Sequence, residues 1–140
     1  MINIKDVVTM KLPFPNLSAE LANRSHMYIC LEEGASKVML KCQREKPTNI
    51  DVGVPPFRRI TETPNLLRNP FVFTTLIDCD KSFLIKDVII DESLLAKNRR
   101  DISDEVHQLI LEEFKNNPCH QEIINKEDIC SVNRKITIKS

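Results

Sequence analysis

The sequence contains little glycine, few aromatic residues, no tryptophan and no long hydrophobic run. Two glycines in 140 residues cannot form the glycine-rich loops that bind nucleotide phosphates, and neither a Walker A motif nor G-x-G-x-x-G is present. No apolar run approaches the roughly 20 residues of a membrane-spanning helix, and the N-terminal MINIKDVV lacks the apolar core of a signal peptide. These absences predict a cytoplasmic protein that does not interact with membranes.

The five cysteines lack the spacing of a disulfide framework or a zinc site. Their number is odd and none forms C-x-x-C, and reduced thiols fit the cytoplasm. Cys119-His120 with Cys130 is the arrangement that most resembles a metal site, but structural zinc ligands pair more closely along a chain. We therefore predict no metal and no other cofactor.

Charge is balanced over the whole chain but not along it. Twenty basic and twenty acidic residues give a net charge of zero, which argues against a protein that coats nucleic acid without selectivity. The segment 37–59, however, has six basic and two acidic side chains. Such a basic strip favours an anionic ligand, and an ordinary solvated face is the alternative.

Alternating apolar and polar residues predict strands with one buried face in the first part of the chain: 6–12, 26–31 and 37–43. Gly34 can take a positive φ between the second and third strands, so these two form a hairpin. The proline-rich segment 44–70 predicts loop and edge strand, with an extended piece near 50–54 and one helical turn at 63–67.

The second part of the chain predicts two more strands, at 71–77 and 83–90, followed by helices. Ser103 is a good N-cap for a helix over 103–115, which has acidic residues in its first turn. The apolar stripe of this helix consists of Val106, Leu109, Ile110 and Phe114. A short helix from Pro118 to about Asn125 and a weakly alternating strand within 132–138 follow. The pattern predicts a mainly β protein of the α+β class, with short strands spaced as in a small barrel.

The order of the N-terminal segments is specific enough to compare with known families. Lys5-Asp6-Val7-Val8 begins the first strand, a proline-marked loop covers 13–23, and Arg24 leads into the second strand. These segments resemble the MazF/PemK toxins, in which G-[DE]-[VI], a loop and Arg-Pro follow one another. FVFTTLIDCDKSFLI at 71–85 and ISDEVHQLILEEF at 102–114 resemble the late strand and the closing helix of that family.

The resemblance covers roughly 5–115 and implies one domain over 1–140, with a short helix and tail extension after about 117. The implied fold is an SH3-like small barrel with a C-terminal helix packed on it. The implied function is that of a homodimeric, metal-independent endoribonuclease that cleaves single-stranded RNA and belongs to a toxin–antitoxin system. The 2′-OH of the substrate attacks the adjacent phosphate, so the enzyme has to stabilise negative charge and move protons.

The resemblance also assigns the catalytic residues. Arg24 matches the arginine of the family and is suited to contact a phosphate with two hydrogen bonds, an exposed ion pair being the structural alternative. Lys5 and Ser25 replace the glycine and the proline of the family motif. The family has a Thr or Ser near the end of the third strand, where this chain has no hydroxyl. Lys41 or Gln43 takes that position, depending on the register of the strand.

His26 lies two residues after Arg24, so an extended backbone places both side chains on one face, and a histidine can transfer protons near neutral pH. A half-buried structural histidine is the alternative. We expect further RNA-binding residues along the groove: Lys11, Tyr28, Arg44 and Lys46, of which Tyr28 would stack on a base. Because the expected hydroxyl is missing, a second function stays open, that of a non-catalytic SH3-like barrel module that binds RNA or a peptide partner.

Overall fold

The computed structural model describes residues 1–49 and 53–139, which form nine strands and three α-helices. The strands are β1 (Val7–Met10), β2 (His26–Glu32), β3 (Ser36–Arg44), β4 (Arg59–Glu62), β5 (Thr75–Asp78), β6 (Lys81–Lys86), β7 (Val88–Ile90), β8 (His120–Ile124) and β9 (Ile136–Ile138). The helices are α1 (Glu20–Asn23), α2 (Asp104–Asn116) and α3 (Lys126–Val132). Short 3₁₀ turns cover Pro47–Asn49 and Glu92–Leu94. This composition confirms the mainly β, α+β class.

A seven-stranded, mainly antiparallel sheet is organised around β3, and β7 pairs with β9 in a separate two-stranded sheet. Because β3 is nine residues long, it pairs with β2 along one edge and with two strands along the other. Its first half lies beside β6, with Met39 opposite Phe83, and its last residues lie beside β5, with Cys42 opposite Ile77. β8 extends the sheet by parallel pairing with β6. Over the residues described, the two sheets do not close into a barrel.

Apolar side chains are buried on both faces of the main sheet. The first core, on one face, includes Met10, Tyr28, Met39, Phe83 and residues of α3, β7 and β9. The second core, on the opposite face, includes Val7, Ile29, Leu40, Ile77 and residues of α2. The strands of the N-terminal half are therefore covered on two faces rather than on the one that their alternating pattern predicts.

Helix α2 forms where the sequence predicts it. The Ser103 hydroxyl accepts a hydrogen bond from the amide of Val106 at 3.3 Å and so caps the helix. Val106 and Ile110 are fully buried against the sheet. Leu109, which the apolar stripe placed with them, is 42% exposed, so the buried face of α2 is narrower than predicted.

The predicted helix from Pro118 to Asn125 is wrong. Residues 120–124 form β8, and the helix begins later, at Lys126. The Asn125 side chain accepts from the amide of Asp128 at 2.9 Å, so this residue is the N-cap of α3. The predicted tail strand within 132–138 is confined to β9. The segment after Asn117 thus supplies two strands and a helix to the fold.

The later strands also differ from their predicted bounds. The strand predicted over 71–77 begins only at Thr75. The strand predicted over 83–90 breaks at Asp87, whose φ of 57° ends β6 and allows β7 to pair elsewhere. The helical turn predicted at 63–67 is a hydrogen-bonded turn around Asn65 rather than a helix. Most of the extended piece predicted near 50–54 lies outside the described residues. Of the helices described, none is both long and apolar enough to cross a membrane.

A buried carboxylate fixes the start of β1. Asp6 is 2% exposed and accepts two hydrogen bonds from Arg100, 2.9 Å from Nε and 2.7 Å from Nη2. The amide of Asn3 donates to the same carboxylate at 2.7 Å. The preceding residue, Lys5, has a φ of 81°, in the left-handed region that glycine tolerates best. The N-terminal segment is thereby tied to the chain just before α2.

Candidate nucleic-acid interface

Six of the predicted site residues line one open cavity of about 450 Å³: Arg24, His26, Lys41, Gln43, Arg44 and Lys46. We call it the cationic cavity. Glu20, Leu21, Thr48 and Asn49 also line it. Among these described residues, four cationic side chains face a single carboxylate, that of Glu20. The cavity is therefore electrostatically suited to an anion.

The register of β2 and β3 explains why these residues meet. Tyr28 lies opposite Lys41, so both side chains leave the same face of the sheet. His26 lies two residues before Tyr28, and Gln43 lies two residues after Lys41, so their side chains are on that same face. Towards the middle of the sheet this face belongs to the first core, where Tyr28 and Met39 are fully buried. The cavity lies where the apolar face ends and polar side chains replace apolar ones.

Arg24 follows α1 directly and remains accessible. Its Nη1 lies 3.8 Å from Oε1 of Glu20, one helical turn earlier, and the two side chains are 73% and 69% exposed. An exposed pair of this kind contributes little to stability. An incoming phosphate can therefore displace Glu20 at small cost.

His26 has a defined tautomer in this geometry. Its Nδ1 lies 3.2 Å from the main-chain carbonyl oxygen of Arg24, which can only accept, so Nδ1 carries the hydrogen and Nε2 keeps a lone pair. Partial burial lowers the pKa of His26, the hydrogen bond to Arg24 opposes that change, and the positive charge of Lys41 adds to it. The lowered pKa favours the neutral imidazole.

Lys41 lies partly buried in the cavity, and this burial lowers the pKa of its ammonium group, while the charge of Asp78 acts in the opposite direction. Asp78 is 8% exposed, its pKa is raised by burial, and it accepts from the Asp80 amide at 2.8 Å. Since Cys42 lies opposite Ile77, Asp78 comes beside Lys41 at the next position of the ladder. Sequence reasoning missed Asp78; an acidic residue ending an apolar strand was the available signal.

The hydroxyl that the end of β3 lacks is present elsewhere in the cavity. Thr48 is exposed in the 3₁₀ turn after β3 and lines the cationic cavity. Asn49, 7% exposed, holds the turn by accepting from the amide of Lys46 at 3.1 Å. The family motif has its hydroxyl near the end of the third strand, whereas the Pro-Thr-Asn turn begins four residues beyond Gln43.

Two predicted RNA-binding residues lie outside this cavity. Tyr28 is 0% exposed in the first core, so its ring cannot stack on a base in this structure, which corrects the prediction. Burial raises its pKa, and its hydroxyl has no hydrogen-bond partner within the described part of the chain. Lys11 is partly exposed, and both of its main-chain polar groups bind the side chain of Asn133, at 2.9 and 2.8 Å.

The basic strip of segment 37–59 divides into two groups. Lys41, Arg44 and Lys46 line the cationic cavity. The other three cations bind main-chain carbonyl groups: Lys37 those of Gly34 and Val88, Arg58 those of Glu113 and Asn117, and Arg59 those of Asn49, Val54 and Pro56. Half of the strip is thus structural, and the other half is concentrated at one site.

All five cysteines are free, and Cys30, Cys42 and Cys79 are buried. His120 contacts the carboxylate of Glu122 at 2.7 Å. Over 1–49 and 53–139, no group of three or more His, Cys, Asp or Glu side chains is arranged to hold a metal ion.

Comparisons of the chain with protein-family models, with curated proteins and with solved structures find no match. The likeness to the MazF/PemK toxins therefore rests on the sequence segments quoted above.

Proposed function

We propose that this protein is a MazF/PemK-like endoribonuclease that cleaves single-stranded RNA without a metal ion. The observation that carries the proposal is the cationic cavity, in which Arg24, His26, Lys41 and Gln43 lie together. Each of these residues was predicted from the sequence for the same reaction. An open cavity with a surplus of cations fits a phosphodiester backbone better than a neutral or cationic ligand.

The geometry supports a specific catalytic role for each of these residues. Nε2 of His26 takes the proton of the substrate 2′-OH as the 2′-oxygen forms its bond to phosphorus. Arg24 stabilises the charge that develops on the phosphoryl oxygens. The bond from phosphorus to the 5′-oxygen then breaks, and the leaving oxygen takes a proton from the Lys41 ammonium. The products are a 2′,3′-cyclic phosphate and a 5′-hydroxyl, while Gln43 and Thr48 offer neutral hydrogen bonds to the phosphate.

The backbone at Lys5 also supports the likeness to the toxin family. The family motif has glycine before the acidic residue, and this chain has Lys5 there with a φ of 81°. Glycine adopts that conformation without steric cost. Lys5 therefore has the main-chain conformation that the glycine of the family motif would favour. Asp6 takes the place of the family's acidic residue.

The proposal includes the fold and partners that the resemblance implies: an SH3-like barrel topology, a cytoplasmic homodimer and a neutralising antitoxin. Four exposed apolar side chains lie in the loop before β5: Leu66, Leu67, Val72 and Phe73. Of these, Val72 and Phe73 provide an apolar surface for a protein partner beside His26, Gln43 and Arg44 of the cationic cavity. An antitoxin segment with acidic and apolar residues would match this combination.

The decisive experiment is cleavage of single-stranded RNA by the purified protein in excess EDTA. We expect fragments that end in a 2′,3′-cyclic phosphate, and no cleavage of 2′-O-methyl RNA, which lacks the nucleophile. Arg24→Ala should reduce the rate by about 100-fold or more while the thermal unfolding midpoint stays unchanged. Arg134→Ala, at an exposed arginine outside the cavity, is the matched control and should cleave normally.

Cleavage that requires a divalent metal, or that persists undiminished in Arg24→Ala, would contradict the proposal. Saturable RNA binding without products would instead favour the non-catalytic module that the sequence left open.

A further inference from the structure

A second cavity of about 340 Å³ adjoins the cationic cavity and shares three of its lining residues: His26, Gln43 and Arg44. We call it the apolar cavity, because much of its remaining wall comes from apolar side chains: Met27, Phe71, Val72 and Phe73. The shared residues lie at the neighbouring ends of β2 and β3. From there the apolar cavity extends over the opposite face of the sheet, because Met27 and Phe71 belong to the second core. The lining thus changes from cationic to apolar around the ends of these two strands.

An aromatic ring lies at the border between the two cavities. The guanidinium carbon of Arg44 is 3.9 Å from the centroid of the Phe73 ring, within the range of a cation–π contact. Phe73 is 50% exposed, so part of its surface stays open to a flat ligand. The hydroxyl of Thr75 donates to the main-chain oxygen of Phe73 at 2.9 Å, which fixes the backbone that carries the ring.

A buried network of hydrogen bonds fixes the loop that carries the Phe73 ring. Glu62 is 5% exposed and accepts two hydrogen bonds from Arg68, at 3.0 and 2.9 Å. The Asn69 side chain donates to Glu62 at 3.0 Å and accepts from the amide of Phe71 at 3.1 Å. The apolar wall is therefore pre-organised, as a binding pocket needs to be.

We propose that the apolar cavity binds one unpaired base of the RNA whose phosphate occupies the cationic cavity. This inference rests on the proposed function and names the part of the substrate that the second cavity recognises. Single-stranded RNA presents a phosphate and a flat, unstacked base side by side, and proteins bind such bases on aromatic rings and arginine planes. The Gln43 amide can both donate and accept, so it is suited to contact the edge of that base.

The occupant follows from the two cavities taken together. An apolar peptide would match the wall at Val72 and Phe73 but not the cationic side chains of the adjoining cavity. An inorganic anion would match the cations but leave the ring unused. A nucleotide unit satisfies both halves, and the volume of the apolar cavity lies within the range of small-ligand pockets.

The absence of tryptophan from the sequence permits a direct test. Phe73→Trp introduces a single fluorescent reporter at the proposed stacking position. We expect its emission to change when 2′-O-methyl RNA decamers are added, either a random-sequence pool or the four homopolymers, which bind without being cut. Inorganic polyphosphate, which carries the charge without bases, should leave the emission unchanged. Phe57→Trp is the matched control, because Phe57 is 62% exposed and lies outside both cavities.

A second measurement uses chemistry rather than fluorescence. A random-sequence RNA pool is digested and its cut sites are sequenced. We expect the wild type to prefer particular bases at one position beside the cut, Phe73→Tyr to keep that preference, and Phe73→Ala to lose it. Phe73→Ala should also bind RNA about 10-fold or more weakly.

The outcomes separate this inference from the proposed function. If the reporter responds to RNA but unmodified single-stranded RNA is not cut, the nuclease is overturned and the base subsite is supported. RNA that is cut while the reporter stays silent, or with an unchanged preference in Phe73→Ala, would overturn the subsite alone. An equal response to polyphosphate would also overturn it. If the protein binds no RNA at all, both the proposed function and the base subsite are contradicted.

Discussion

Nδ1 of His26 lies 3.2 Å from the main-chain carbonyl oxygen of Arg24, two residues earlier in the chain. This contact directs the free lone pair on Nε2 away from the backbone. It also joins the proposed base, the first residue of β2, to Arg24, the residue that would bind the phosphate. The pKa of His26 is lowered, mainly by burial, so the neutral base persists to lower pH than in an exposed histidine.

The first prediction concerns the acidic side of the pH–rate profile. Because the base has to be unprotonated, kcat/KM should rise with pH and level off, with a midpoint below 6.5, the ordinary value of histidine. His26→Gln should abolish this acid limb and reduce the rate by about 100-fold. His120→Gln, at a histidine whose side chain is 70% exposed, should change neither. A midpoint above 6.5 in the wild type would show that the base experiences a different environment.

The second prediction concerns Lys41 and its neighbour Asp78. If the ammonium of Lys41 protonates the leaving oxygen, activity should fall at alkaline pH with a midpoint below 10.5, because burial lowers its pKa. Asp78 acts in the opposite direction on that pKa. Asp78→Asn removes this charge, so the alkaline midpoint should shift to lower pH. The kinetic profile from pH 7 to 10 measures it, and a shift to higher pH would refute the pairing.

Local patterns in the sequence were sufficient for much of this fold. The alternation in β2 and β3 placed His26, Lys41 and Gln43 on predictable sides of their strands, and the cap at Ser103 located α2. These signals are local, since each depends on residues that are only a few positions apart in the sequence. The same period of two explains why most predicted site residues lie in one cavity.

The features that the sequence did not reveal depend on distant parts of the chain. β8 exists because residues 120–124 pair in parallel with β6, which no local pattern indicates. Tyr28 alternates along β2 with the apolar residues Met27 and Ile29, as a surface residue would. It is buried in the first core, together with residues of α3 and β9. Asp78 approaches Lys41 through the pairing of β3 with β5. In each case a non-local contact decided the outcome.

The third prediction tests the buried pair that fixes the start of β1. Asp6→Asn keeps the size of the side chain but removes the charge that faces Arg100. The free energy of unfolding should fall by about 2–3 kcal/mol, less than for a fully buried pair because Arg100 is 43% exposed. Asp104→Asn, which breaks an exposed pair with Lys5, should cost clearly less than Asp6→Asn. Urea denaturation of both variants makes the comparison, and equal losses would contradict the structural role of Asp6.

The fourth prediction concerns the backbone at Lys5. Both Lys5→Gly and Lys5→Ala delete the contact of the Lys5 ammonium with Asp104, so their comparison isolates the main chain. A residue with a Cβ pays about 1 kcal/mol or more in the left-handed region, and glycine does not.

The Lys5→Gly variant should therefore be more stable than Lys5→Ala by about 1 kcal/mol. This reverses the usual order, in which glycine is the less stable of the two. Lys97, an exposed loop residue whose φ is not positive, serves as the control position, where Lys97→Gly should be less stable than Lys97→Ala. Thermal and urea unfolding of the four variants decide the matter. If alanine were the more stable at both positions, residue 5 would not hold a left-handed conformation, and this support for the proposed likeness to the toxin motif would be lost.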